Sequence, residues 1–216
     1  MICPRNQVVS ISDADPILYA PITDDGVTSC RAVSIIKARL TPGTTAIVRG
    51  VGGLGTFAIQ FLRLQTNTTI YCVNVSERCL KTGVELGAKK GFVAGASVAE
   101  HILAETCGRC IDGILDFVGA NTTMALSMKV SKPQGRIALV GMNMGTVEVG
   151  WSTMATGCEF AISLASNRQD LDEVCTLVSQ GLLRIDIDRY PFEAVSRAYA
   201  ALHDGLRKGR TVITFD

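Results

Sequence analysis

The residues best placed to do chemistry are the glycines of VRGVGGLG. Gly50, Gly52 and Gly55 fit the spacing G-x-G-x-x-G, with Gly53 as an additional glycine. Between a strand and a helix this pattern can cradle a pyrophosphate. The first glycine makes the tight turn, the second lets backbone approach the phosphates, and the third lets helix and strand pack closely. The helix that follows points unpaired N–H groups and a positive dipole end at the same spot. Such a cradle expects an acidic residue about 20 positions on, at the end of the next strand, to hold ribose hydroxyls. Here that position is Asn74, in VNVSER. Asparagine can hydrogen-bond a ribose without repelling a 2′-phosphate, and Arg78 lies close enough along the chain to act as counter-charge, whereas Glu77 argues the other way. NAD and NADP both remain open.

Other reactive side chains carry less. Of eight cysteines (Cys3, Cys30, Cys72, Cys79, Cys107, Cys110, Cys158, Cys175), most sit in apolar periodic segments, and free, mostly buried thiols are expected. Cys107 and Cys110 have CxxC spacing, but they follow a helix-like segment instead of opening one, and no second pair completes a structural zinc site. They read as a loop. His101 and His203 fall late in amphipathic segments without partners at ligand spacing, so both read as surface or half-buried side chains.

The elements that must hold the glycine cluster follow from hydrophobic period. Thr44 to Val48 is a short β-branched run; Leu54, Phe57, Ala58, Phe61 and Leu62 then recur on one helical face. TIYCVN is a second strand, and SERCLKTGVELG a helix with Ser76 as N-cap and Gly87 at its end. GFV, IDGILDFV, GRIALVGM and CEFAISLA supply four more strands, with SVAEHILAET and NTTMALSMKV as intervening helices. QDLDEVCTLVSQG is a further helix, PFEAVSRAYAALHDG a helix starting at its proline, and RTVITF a terminal strand. The alternation predicts an α/β fold, a doubly wound six-stranded parallel sheet of the Rossmann type with helices on both faces. The expected division is 1–38 as a connecting segment and linking helix, 39–188 as the dinucleotide-binding domain, and 189–216 as a C-terminal helix and strand.

Composition excludes several classes of partner. Lysine plus arginine (21) almost balance aspartate plus glutamate (20), so no basic stripe points to nucleic acid. The amino terminus has no apolar run of the length secretion needs, and apolar runs elsewhere fall short of a membrane span, so a cytoplasmic protein is expected.

In APITDDGVTSCRAV, TPGTTAIVRGVGGLG, VELGAKK, DFVGANTT, GRIALVGM and GRTVITFD, taken in this order, the chain resembles the cofactor-binding part of zinc-type medium-chain alcohol dehydrogenases. The resemblance runs from about Pro16 to the end. It implies that Asp24 stands where the last catalytic-zinc ligand falls, Thr28 where a threonine contacts the nicotinamide, and Leu54 where an apolar side chain packs behind that ring. It further implies carboxamide contacts from the backbone of Val140 and Met142, and a pyrophosphate contact from Arg210. Asp24 and Asp25 could equally cap the following helix, and Arg210 could be a solvated charge.

The resemblance also implies what is missing. A catalytic zinc needs three protein ligands and an open position, and the family's remaining ligands belong to an amino-terminal domain, after which this chain begins. The surface that domain would cover, notably the helix with Val27, Val33, Ile35 and Ile36, is therefore expected to be open and apolar. Two functions compete: an oxidoreductase interconverting an alcohol with its aldehyde or ketone once completed, and a non-catalytic dinucleotide-binding module. A zinc-free quinone or enoyl reductase is a weaker third. A homodimer through the sheet edge near GCEFAISL is implied by the resemblance alone.

Overall fold

The computed structural model of the chain describes residues 4–5, 8–11, 13–205 and 209–215, so Cys3 lies outside the described residues. The chain divides into two compact units, residues 28–165 and residues 1–27 with 166–216.

The larger unit is built on β1 (Thr45–Arg49), β2 (Thr69–Asn74), β3 (Lys90–Val93), β4 (Ile111–Asp116), β5 (Ser131–Leu139) and β6 (Glu159–Ile162), all parallel, in the order β3-β2-β1-β4-β5-β6. This order reverses direction at β1, as the doubly wound fold requires. The central strands are buried on both faces and read as continuous apolar runs without alternation. Ile47, Tyr71, Val73, Ile114 and Ile137 form one face of the core, covered by α5 (Val98–Glu105) and α6 (Asn121–Val130) through Val98, Ile102 and Met128.

The opposite face is covered by the body of α2 (Asp25–Lys37), by α3 (Gly53–Gln65) and by α4 (Glu77–Glu85). Gly113 of β4 and Gly83 of α4 allow close approaches. A Cβ on Gly113 would stand 3.0 Å from Ile36 Cδ1, and one on Gly83 would stand 2.9 Å from Cys72 Sγ. These contacts overturn the expected open surface: Val33 and Ile36 are fully buried, Val27 is buried and Ile35 is half-buried. The helix covers this chain's own sheet. Exposed apolar side chains include Met142, Met144, Val149, Trp151, Ile162 and Leu164.

The smaller unit contains α1 (Pro16–Tyr19), a 3-10 turn at Pro21–Thr23, α7 (Arg168–Ser179), β7 (Ile187–Pro191), α8 (Val195–His203) and β8 (Arg210–Thr214), with β7 and β8 paired in parallel. Pro191 does not start a helix. Its backbone is extended and ends β7, a 3-10 turn at Phe192–Ala194 follows, and α8 begins only at Val195. Proline is tolerated there because β7 has a partner on one side only.

The described cysteines are all free: Cys30 and Cys72 are buried, Cys107 is exposed, and the other four are half-buried. The expectation of mostly buried thiols thus holds for two of seven. Burial pushes the Cys72 thiol up to about 11, which keeps it protonated and inert.

Candidate functional site

The carboxyl ends of β1, β2 and β4 converge where the strand order reverses, and the glycine turn sits on top of them. Gly50 leaves β1 with φ +84°, a left-handed conformation that favours glycine, and its N–H donates to Val73 O at 2.9 Å. Gly55 lies so near Gly50 that a Cβ would collide with the Gly50 carbonyl oxygen. Gly52 is the opposite case: a Cβ there would meet nothing within 4 Å. Gly55 therefore serves the packing of helix on strand, and Gly52 keeps space open before the amino terminus of α3. Gly53 is the first residue of that helix, whose N-cap Gly52 has no side chain to satisfy the leading N–H groups. A dinucleotide's pyrophosphate fits this open, donor-rich end.

Asn74 ends β2, and its Oδ1 accepts from Ser76 N–H at 2.9 Å, an Asx turn that leads into α4. Arg78, in the first turn of α4, is exposed. Below them, a cleft of about 820 Å³ runs between α5 and α6. Its floor holds Arg49, Gly50, Val73 and Asn74, and small residues such as Ala94 and Ala120 line its walls.

On the other face, Ser29 Oγ donates to Leu54 O at 2.8 Å. This bond ties the turn of α2 that carries Thr28 to the first turn of α3 that carries Leu54. Val140 follows β5 directly. Its N–H, like that of Gly141, donates to Asp116 O, at 2.8 and 3.0 Å. Met142 lies exposed in the loop beyond.

Two buried charges in this region escape the sequence reading. Asp116, 1% exposed, ends β4, and its Oδ1 accepts from the N–H groups of Val118 and Gly119, both at 3.0 Å. An aspartate at a strand end followed by glycine three residues on is an Asx-turn signal that could have found it. Arg49, its register partner on β1, is 4% exposed. Its Nη1 donates to Thr123 O and, at 3.2 Å, to Ser127 Oγ. Burial pushes this guanidinium down to about 10, with Asp116 opposing the shift. It is still charged at neutral pH.

In the smaller unit, Asp24 is exposed at the end of the 3-10 turn, while the adjacent Asp25, the first residue of α2, is buried and pairs with Arg210 Nη1 at 2.6 Å. Among the described residues no group of three or more His, Cys, Asp or Glu could hold a metal ion. Zinc therefore does not fit the described residues, among which Asp24 would be a single ligand. No helix among the described residues is long and apolar enough to cross a membrane.

Comparison with known proteins agrees with this geometry. A family model described as zinc-binding dehydrogenase matches residues 86–213. The chain is 31% identical over 198 residues to an NAD-dependent alcohol dehydrogenase of Sulfolobus acidocaldarius, covering 90% of this chain and 56% of that protein. It is 29% identical over 214 residues to a D-arabinose 1-dehydrogenase (NADP(+)) of Saccharolobus solfataricus, covering 96% and 60% respectively. Among solved structures, the alcohol dehydrogenase of Aeropyrum pernix superposes with a TM-score of 0.84 at 30% identity, over 93% of this chain and 59% of that one. The chain thus spans between half and two thirds of the length of these relatives.

Proposed function

Because the chain belongs to the zinc-binding dehydrogenase family, we propose that it is the NAD(P)-binding portion of an oxidoreductase that moves hydride between a nicotinamide cofactor and an alcohol or the corresponding aldehyde or ketone. The observation that carries this reading is the glycine turn, in which Gly55 packs against Gly50 while Gly52 leaves room before the helix end. Hydride acceptance is the chemistry that a bound nicotinamide ring supplies. The chain's own groups bind and orient. Gly52, Gly53 and the amino terminus of α3 hold the pyrophosphate; Asn74, with Arg78 nearby, faces the adenosine ribose; and Leu54 and Thr28 bracket the nicotinamide. The Val140 carbonyl and Met142 backbone hold the carboxamide. Arg210 is assigned toward the pyrophosphate on the resemblance alone and would have to share its guanidinium with Asp25.

No step is routed through zinc, because Asp24 has no companion ligands among the described residues. The same observation favours a second reading, a non-catalytic dinucleotide-binding module. The exposed Ile162 and Leu164 at the edge strand support a homodimer through β6, the near balance of basic and acidic residues argues against nucleic-acid partners, and a cytoplasmic setting belongs to the same proposal. Calorimetric titration with NAD(H) and NADP(H), followed by zinc determination and an alcohol-oxidation assay on the same sample, tests the reading. Binding of a dinucleotide supports it, and binding of neither removes it. Binding without zinc or turnover selects the module over the enzyme for this chain.

A further inference from the structure

We propose that Arg49 is a specificity-determining residue that makes the cleft favour a 2′-phosphorylated dinucleotide. This inference rests on the dinucleotide-binding reading above and adds a determinant that the strand-end position, Asn74, does not supply.

Three observations carry it. First, Arg49 both lines the cleft and is 4% exposed, so its charge has little water to screen it. Second, the guanidinium is incompletely satisfied. Nη1 holds Thr123 O and Ser127 Oγ on α6, but Nε is buried without a partner. Planar guanidinium forks are suited to phosphate oxygens, and a desolvated cation with an unfilled donor is stabilised more by an anion than by a neutral acceptor. Third, the described residues lining the cleft include two cations, Arg49 and Lys129, and no carboxylate. Lys129 is already engaged with Glu100 at 2.8 Å on the exposed rim, which leaves Arg49 as the cation at the floor. Asp116 faces the same guanidinium from β4, with Oδ1 accepting from the Val118 and Gly119 N–H groups and Oδ2 buried without a hydrogen-bond partner, and its carboxylate offsets part of the Arg49 charge.

Position fits as well. Arg49 is the register partner of Val73, so the side chain starts one strand away, about 4.8 Å, from the strand that ends at Asn74. Asn74 turns its Oδ1 onto Ser76 N–H and presents no negative charge there. A 2′-phosphate on the adenosine ribose would therefore meet a neutral strand end and a buried cation on the floor beside it.

The test is calorimetric titration of the whole chain and of Arg49→Met and Arg49→Lys with NADPH and NADH, with inorganic phosphate as a control. The expected result is NADPH binding at least about tenfold tighter than NADH, as one charged hydrogen bond implies. Arg49→Met should erase that ratio, and Arg49→Lys should retain part of it. Equal affinities in the unaltered chain overturn the inference, as does a preference that survives Arg49→Met, which would shift the role to Arg78. Competition by inorganic phosphate at concentrations comparable with NADPH also overturns it, since the site would then be a general anion site. If Arg49→Met does not fold, the ratio in the unaltered chain and in Arg49→Lys still decides. Failure of both dinucleotides to bind the unaltered chain removes the underlying reading, a result distinct from binding without preference.

Discussion

At the residue scale, the glycines of the turn have separable duties, and they should fail differently. Gly52→Ala adds a methyl group where nothing lies within 4 Å, so stability should change by no more than about 0.5 kcal/mol while dinucleotide affinity falls at least about tenfold, because the methyl occupies the pyrophosphate's space. Gly55→Ala drives a methyl group into the Gly50 carbonyl and should destabilise the fold by about 2 kcal/mol, visible as an earlier denaturant midpoint together with weakened binding. Equal behaviour of the two variants would contradict the division. The spacing announces all three fingerprint glycines, because each answers a local demand of turn, approach or packing. It is silent on Arg49 and Asp116. Their meaning depends on two strands, distant in sequence, becoming neighbours with both side chains on one face.

At the element scale, the edge of the large sheet is tied by charge. Glu159 on β6 bonds Arg39 at 2.6 Å and also pairs with Arg136 on β5, whose Nη1 reaches Ile35 O on α2 at 2.7 Å. Arg136 and then Arg39 hold the Glu159 carboxyl below the usual carboxylate range. A folded-state value lower than the unfolded one means that this stabilisation is present above the unfolded carboxylate value, about 4.3, and fades as pH falls through the folded value. Glu159→Gln should therefore be less stable than the parent at pH 7 and converge with it in acid, as followed by thermal melts across pH. A constant gap would exclude the pairing as its cause. On the same face, Ile36→Ala leaves a cavity over Gly113 and should cost about 3 kcal/mol, measurable by urea denaturation; a change below about 1 kcal/mol would restore the idea of an uncovered helix. The hydrophobic period locates the large-sheet strands and helices closely: TIYCVN and NTTMALSMKV coincide with β2 and α6. It places a helix start at Pro191, because proline suits a helix's first turn as well as it suits the end of an edge strand. The preceding alternation Ile185-Asp186-Ile187-Asp188 carried the strand signal.

At the scale of the whole molecule, one group of exposed apolar side chains lies on the segment from the end of β5 to just past β6, where Trp151 is 98% and Ile162 and Leu164 are each 78% exposed. Edge strands with such side chains pair with other chains unless protected. Ile162→Lys is accordingly expected to convert a dimer to a monomer in sedimentation velocity. A monomeric parent protein would dispose of the homodimer. The matched relatives are longer than this chain, and zinc should remain below stoichiometric levels after dialysis of this chain with the metal, since Asp24 is one ligand where three are needed.

The sequence by itself determined the class of fold and the position of the glycine turn between β1 and α3. Both rest on short-range properties: apolar periodicity, and glycines whose missing side chains are required within one strand–turn–helix unit. Tertiary structure alone decided which face each helix covers, why Val33 and Ile36 are buried, and that Arg49, Asp116 and Asn74 converge at one end of the sheet. It also decided that Arg210 pairs with Asp25, nearly two hundred positions apart. Burial, register and ion pairing across such separations depend on which strands become neighbours, and no local pattern of residues encodes that.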